Sequence, residues 1–194
     1  YSVAWVDKGP LGGTCLNVGC IPSKMLIYPA DRIVEIQEAE KLGVKAEIKD
    51  INFERIMEHM REPIKESHEH MEQGLQSIEN FTYYKGVGHF IKDYILEINN
   101  EQIQGDKFFI GSGARPLIPP IKGIQNVDYL TNETIFNLTK KPQSIVIIGG
   151  GYIAVEFAHF FAAIGTDVSV FQRSTRLIPN SEPEISDLLK KQME

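Results

Sequence analysis

Ser144-Ile-Val-Ile-Ile-Gly-Gly-Gly-Tyr-Ile-Ala-Val-Glu-Phe-Ala-His-Phe-Phe-Ala-Ala-Ile-Gly-Thr-Asp-Val-Ser-Val-Phe-Gln172 is the stretch that decides the fold. Ser144–Ile148 is an apolar run and reads as a buried strand. Gly149-Gly150-Gly151 supplies a turn. Ile153–Ile164 reads as an apolar helix capped by Gly165, and Asp167–Gln172 as the next strand. Strand, helix, strand is the start of a parallel α/β unit.

Within it, Gly149-x-Gly151-x-x-Ala154 falls where a dinucleotide turn needs small residues. The first glycine allows a tight turn, and the second lets backbone approach a pyrophosphate. Ala154 permits close helix–strand packing, and the helix start attracts the anion. A glycine triad alone is weak evidence; with both strands and the helix in register, it predicts dinucleotide binding rather than a plain turn. The second strand ends at Gln172, where NAD-binding folds favour an acid for the ribose 2′-hydroxyl. Here a neutral side chain is followed by Arg173 and Arg176. That removes repulsion of a 2′-phosphate and adds cations for it, so NADP is expected over NAD. The alternative is two solvated loop arginines.

Upstream, residues 112–142 read as a connecting segment with Pro116, Pro119, Pro120 and Pro142. Before it the period is that of strands: Phe81–Lys85, Gly88–Ile91, Tyr94–Ile98 and Phe108–Ile110, with Asn99-Asn100 as a turn. A helical stripe runs from Asn52 to Ile78, with Pro63 as a break or kink. Another helix is expected from Pro22–Ser23 to a stop at Gly43, bent near Pro29. Residues 9–22 read as a glycine-rich loop, and Tyr1–Asp7 as a strand closed by an acid.

Cys15-Leu-Asn-Val-Gly-Cys20 sits in that loop. On a regular helix, residues at this spacing lie about 8–9 Å apart, beyond the roughly 7 Å a disulfide bridges. Asn17 and Gly19 offer the relaxation that would close the ring. Positive charge at a helix start, with Lys24, favours thiolate. The pair alone fits a dithiol–disulfide couple, two buried free cysteines or half a metal site; no second pair exists to complete a zinc site. His68 and His70 cannot share a helix face and are expected on a solvated one. His59, His89 and His159 are isolated, and no metal ligand is assigned.

Composition bounds the function. The 194 residues are 42% hydrophobic and 24% charged, which is ordinary globular usage. A net charge of −6 argues against nucleic acid or an anionic membrane as partner. No apolar run is long enough to span a bilayer. With two cysteines, this is no disulfide-stapled secreted scaffold, and cytoplasm is the default compartment.

The contiguous run Leu11-Gly-Gly-Thr-Cys-Leu-Asn-Val-Gly-Cys-Ile-Pro-Ser-Lys24 resembles the active-site signature of the FAD-dependent pyridine nucleotide–disulfide oxidoreductases. Ile110-Gly-Ser-Gly-Ala-Arg-Pro116 and Gly149–Glu156 resemble two further segments of the family, so the resemblance covers the chain. It implies two Rossmann-like nucleotide-binding domains: FAD-binding over 1–118, a linker over 119–142, and NAD(P)-binding over 143–194. It implies FAD and NAD(P) as cofactors and a small disulfide or dithiol as substrate. By resemblance, Cys15 is the interchange thiol and Cys20 the charge-transfer thiolate against the flavin. Lys24 lies near flavin N5 and pairs with Glu156. Tyr152 resembles an aromatic gate, and Asp7 the acid on the adenosine ribose of FAD. Gly13, Thr14, Gly88, Ser112 and Gly113 match further FAD-contacting positions.

The family's first glycine turn and its C-terminal part, with a His–Glu acid/base pair, find no match here. A piece of a longer, homodimeric protein is therefore expected. The cysteine signature is most similar to the dihydrolipoamide dehydrogenase branch. Gln172, Arg173 and Tyr152–Glu156 lean to the NADPH-dependent reductases of glutathione or mycothione, and mercuric reductase is a further alternative. A nucleotide-binding fragment without activity is the non-enzyme alternative.

Overall fold

The structure, a computed structural model, describes residues 1–194. Two parallel strand pairs carry the α/β architecture. Strand β1 (Val3–Asp7) pairs with β2 (Phe81–Lys85), Val3 opposite Phe81 and Asp7 opposite Lys85. Near the other end, β6 (Ser144–Ile148) pairs with β7 (Asp167–Phe171), Ser144 opposite Asp167. Between the pairs lies an antiparallel meander of β3 (His89–Lys92), β4 (Ile95–Ile98) and β5 (Glu101–Gln104).

Five helices complete the chain: α1 (Gly13–Val18), α2 (Cys20–Glu38), α3 (Phe53–Gln76), α4 (Tyr152–Ala163) and α5 (Pro183–Met193). Asn52 caps α3, its Oδ1 accepting from the Arg55 N–H at 2.8 Å. The core forms where α2, α3 and α4 meet. Leu26, Ala30 and Ile33 come from α2; Phe53, Met57, Met60 and Ile64 from α3; Phe157, Phe160 and Phe161 from α4. Each fully buried Leu, Ile, Met or Phe among them contributes about 1.5–3 kcal/mol. The helix carrying the cysteine segment is thereby packed onto the helix that follows the nucleotide turn.

Several sequence expectations need correction. The expected loop over 9–22 contains α1, and α2 starts at Cys20 rather than Pro22. The break at Gly19 explains this. A Cβ built there would stand 2.7 Å from the Thr14 carbonyl oxygen and 3.1 Å from Cys15 Cα, so the chain doubles back tightly at that point. Helix α3 is not broken at Pro63, which lies inside it, as Pro29 lies inside α2. Phe108–Ile110 is no strand; the Asn99-Asn100 turn, at φ 52° and 66°, instead leads into β5. Both residues adopt the left-handed conformation a tight hairpin turn requires. β6 is covered on one face only. Ile145 and Ile147 pack on the core while Val146 and Ile148 stay exposed. The connecting segment contributes Ile135 and Phe136 to the core.

Candidate active site

Cys15 lies in the middle of α1, and Cys20 is the first residue of α2. Both are exposed free thiols. As the first helical residue, Cys20 meets the partial positive charge of the α2 start. One turn on, Lys24 Nζ meets Glu156 Oε1 of α4 at 2.5 Å. The pair ties the cysteine-bearing helix to the helix that opens on the nucleotide turn. Farther along the same two helices, His159 Nε2 meets Asp31 Oδ1 at 2.8 Å. His159 is thus not isolated; periodicity places it on α4 and says nothing of which helix lies opposite.

Asn17, between the cysteines, holds their segment together. Its Nδ2 donates to the carbonyls of Pro10, Leu11 and Gly13 at 3.2, 3.0 and 2.8 Å. Its Oδ1 meets Nε2 of His68 on α3 at 2.5 Å. His68 is half-buried against this segment, which corrects the expectation of a solvated face; His70 is exposed.

At the Gly149–Gly151 turn, Gly149 has φ +117° and Gly151 opens α4. No atom lies within 4 Å of a Cβ built on either, whereas one on Gly150 would press 2.8 Å from Leu177 Cδ2. Gly150 is therefore packed and the flanking glycines face open space. No side chain caps α4, so its first N–H groups point unpaired toward that space. Ala154 is half-buried, one turn in. Tyr152 is 62% exposed, its hydroxyl 3.2 Å from Ser181 Oγ. These features fit a pyrophosphate. Gln172 folds into its own loop, donating to Ser174 Oγ at 2.9 Å and accepting from the Arg173 N–H at 3.0 Å. Arg176 is engaged by Asp187 at 3.2 Å. Arg173, the other cation, makes no such contact.

At the end of β1, Asp7 Oδ1 accepts from the Gly9 N–H at 2.8 Å, leaving the second oxygen for a ligand. Beside it lies Tyr83, whose buried hydroxyl has no partner and faces Gly9. Burial, then the Asp7 and Glu72 carboxylates, hold its phenol above the ordinary range and keep it a donor. The free Asp7 oxygen at this strand end fits a ribose hydroxyl, so this acid fits the adenosine end of FAD, while the Tyr83 hydroxyl is enclosed by protein. The sequence singled out Asp7 but not Tyr83, which carries no motif signal. Gly13 and Gly113, at φ 61° and 71°, have open space where a side chain would stand. Thr14 and Ser112 are exposed, and Gly88 packs beneath Leu96 and Val6. No group of three or more His, Cys, Asp or Glu side chains converges to hold a metal. No helix is long and apolar enough to cross a membrane.

Comparison with known proteins gives a consistent result. The family model described as pyridine nucleotide-disulphide oxidoreductase matches residues 1–194. Mercuric reductase of Lysinibacillus sphaericus is 31% identical over 97% of the chain and 35% of its own length. Mycothione reductase of Mycobacterium tuberculosis (strain ATCC 25618 / H37Rv) is 33% identical over 93% of the chain and 41% of its own. Dihydrolipoyl dehydrogenase of Staphylococcus aureus is 34% identical over 98% and 41%. Among solved structures, the HOCl-induced flavoprotein disulfide reductase RclA from Escherichia coli superposes with a TM-score of 0.85 at 28% identity, covering 100% of the chain and 41% of that protein. The chain thus spans well under half the length of each of these relatives.

Proposed function

Since this chain belongs to the pyridine nucleotide-disulphide oxidoreductase family, we propose that its protein is an FAD-dependent enzyme passing electrons between NAD(P)H and a small disulfide or dithiol through Cys15 and Cys20. The family uses FAD and NAD(P)H. The observation that carries the reading is the Lys24–Glu156 contact, which joins the cysteine helix to the nucleotide helix. FAD, when bound, supplies the two-electron exchange between nicotinamide and the cysteine disulfide.

The chain's own residues do the thiol chemistry. The Cys15 thiolate attacks one sulfur of the substrate disulfide. That bond breaks, one substrate thiolate leaves and takes a proton, and Cys15 holds the mixed disulfide. Cys20 then attacks the Cys15 sulfur, the second substrate thiolate leaves, and a Cys15–Cys20 disulfide forms. The substrate gains the two electrons the dithiol loses. Lys24 stabilises negative charge developing at the adjacent redox centre, and Glu156 holds it in place.

This role separates catalysis from stability. The Lys24 side chain is 60% exposed, so its ion pair is worth only about 0–1 kcal/mol of stability. Lys24→Met is expected to leave the thermal midpoint within a few degrees, yet slow nicotinamide-driven reduction about tenfold or more. Equal turnover by wild type and variant would remove Lys24 from the mechanism.

Within the family, the cysteine signature supports a dihydrolipoyl dehydrogenase-like exchange. A second reading, an NADPH-dependent reductase of the mycothione or glutathione type, has its own observation. Gln172 is turned into its loop, Arg176 is held by Asp187, and Arg173 remains for a 2′-phosphate. NADPH is expected to be preferred over NADH about tenfold or more, and Arg173→Ala to erase most of that margin. A wild-type preference for NADH would overturn the NADP assignment. We further propose FAD-binding and NAD(P)-binding units over 1–118 and 143–194, a cytoplasmic location and a homodimer.

An anaerobic titration of the natural protein with NADPH and NADH, followed by visible absorbance, tests the whole. Flavin bands giving way to a long-wavelength thiolate–flavin band support it. A colourless, unresponsive protein would leave only a nucleotide-binding fragment.

A further inference from the structure

His68 has no place in the chemistry above, yet it touches the segment that carries both cysteines. Asn17 faces three backbone carbonyls with Nδ2. Carbonyls only accept, so the amide nitrogen must face them and Oδ1 must face His68. That oxygen only accepts, so His68 Nε2 carries the proton at the 2.5 Å contact. The two ends of this contact differ in rigidity. His68 stands on α3, anchored in the core by Met57, Met60 and Ile64. Helix α1 buries none of its residues fully, has no side-chain cap, and opens on Gly12 and Gly13 at φ 97° and 61°. Asn17 gathers Pro10, Leu11 and Gly13 into one knot, and His68 fastens that knot to the core.

The distance between the cysteines depends on this knot. A disulfide needs its two Cα atoms within about 7 Å. The doubling back at Gly19 lays the residue before Cys20 over Cys15, with no room for a side chain between them. A shift of α1 changes that approach directly. Effective concentration of one thiol at the other follows from how narrowly their separation is held.

We propose that His68 is a positioning residue for the Cys15–Cys20 couple: through its Nε2–H to Asn17 it fixes how α1 presents Cys15 to Cys20. This rests on the reading of those cysteines as a redox pair.

The test uses two variants of the full-length protein. His68→Leu removes the donor at similar bulk; His68→Gln keeps an N–H. Each is equilibrated in glutathione redox buffers, and the fraction of Cys15–Cys20 disulfide is read by alkylation and mass spectrometry. Amide hydrogen exchange of residues 10–19 is read in parallel. For the leucine variant, the buffer ratio at half-oxidation is expected to shift toward easier reduction, and exchange to quicken, by about three- to tenfold, the worth of one hydrogen bond. The glutamine variant is expected to stay near wild type in both. A leucine variant matching wild type, or a glutamine variant as displaced as leucine, overturns the proposal. The underlying reading fails separately: Cys15→Ser retaining disulfide turnover removes the redox role while leaving the exchange result intact.

Discussion

Cys15→Ser and Cys20→Ser are each expected to cut disulfide turnover about a thousandfold or more, and to differ in what they leave behind. Serine preserves the shape and backbone bonds of α1 and α2, so the loss reports chemistry rather than folding. Both thiols are exposed, and a change from sulfur to oxygen at an exposed site is within about 0.5 kcal/mol for stability. The reduced Cys20→Ser protein retains the attacking Cys15 thiolate but has no second thiolate to resolve the mixed disulfide. Incubated with a small disulfide, it is expected to stop at one covalent adduct on Cys15, read as a fixed mass increase that dithiothreitol reverses. Cys15→Ser is expected to form no stable adduct at Cys20, because the proposed roles make Cys15 and not Cys20 the interchange thiol. Adducts in the opposite pattern would exchange the two roles. Retention by either variant of a tenth of wild-type turnover would end the redox-pair reading.

What the sequence tells about this site, and what it does not, follows from the range of each signal. The nucleotide turn is legible because its requirements are local: a glycine at φ +117°, a small residue one turn into the helix, apolar strands on either side. The hairpin at Asn99-Asn100 is legible for the same reason, since asparagine tolerates the left-handed conformation. Phe108–Ile110 misleads because a short apolar run signals a strand without naming its neighbour; nothing in the chain pairs with it. The short helix α1 is hidden by the glycines in and around it, which read as loop, while the fold uses the flanking Gly12 and Gly19 for close approach. His68, His159 and Tyr83 are hidden in another way. Their neighbours Asn17, Asp31 and Asp7 lie 51, 128 and 76 positions away in sequence, and only packing of α2, α3 and α4 or pairing of β1 with β2 brings them near. The Lys24–Glu156 pairing is implied by the family resemblance, and no spacing rule suggests it independently.

Gly151→Ala isolates coenzyme binding from folding, and its expected effect is the second largest. Gly149 and Gly151 share the motif but not the reason for glycine. At Gly149, φ is +117°, a conformation a residue with a Cβ adopts only with strain of about 1–3 kcal/mol. Its N–H also donates to the Phe171 carbonyl at 2.8 Å, so strain there would pull on the β6–β7 pair. Substitution at Gly149 therefore mixes loss of stability with loss of binding. Gly151 has φ −81°, which alanine adopts freely, and a methyl there meets nothing within 4 Å. The folded protein has room for it; an approaching pyrophosphate does not. Gly151→Ala is expected to keep the thermal midpoint within a few degrees, the cost of exchanging the helix's first cap residue. It is expected to raise KM for NADPH and NADH alike by about ten- to a hundredfold, because the methyl stands where phosphate oxygens reach the free N–H groups of α4. Flavin content should not change, since Gly151 lies in the proposed NAD(P)-binding unit and Asp7 in the proposed FAD-binding unit. An unaltered KM for both coenzymes would move the pyrophosphate away from this turn. A fall in midpoint as large as that of Gly149→Ala would mean that packing, not the ligand, requires glycine at 151.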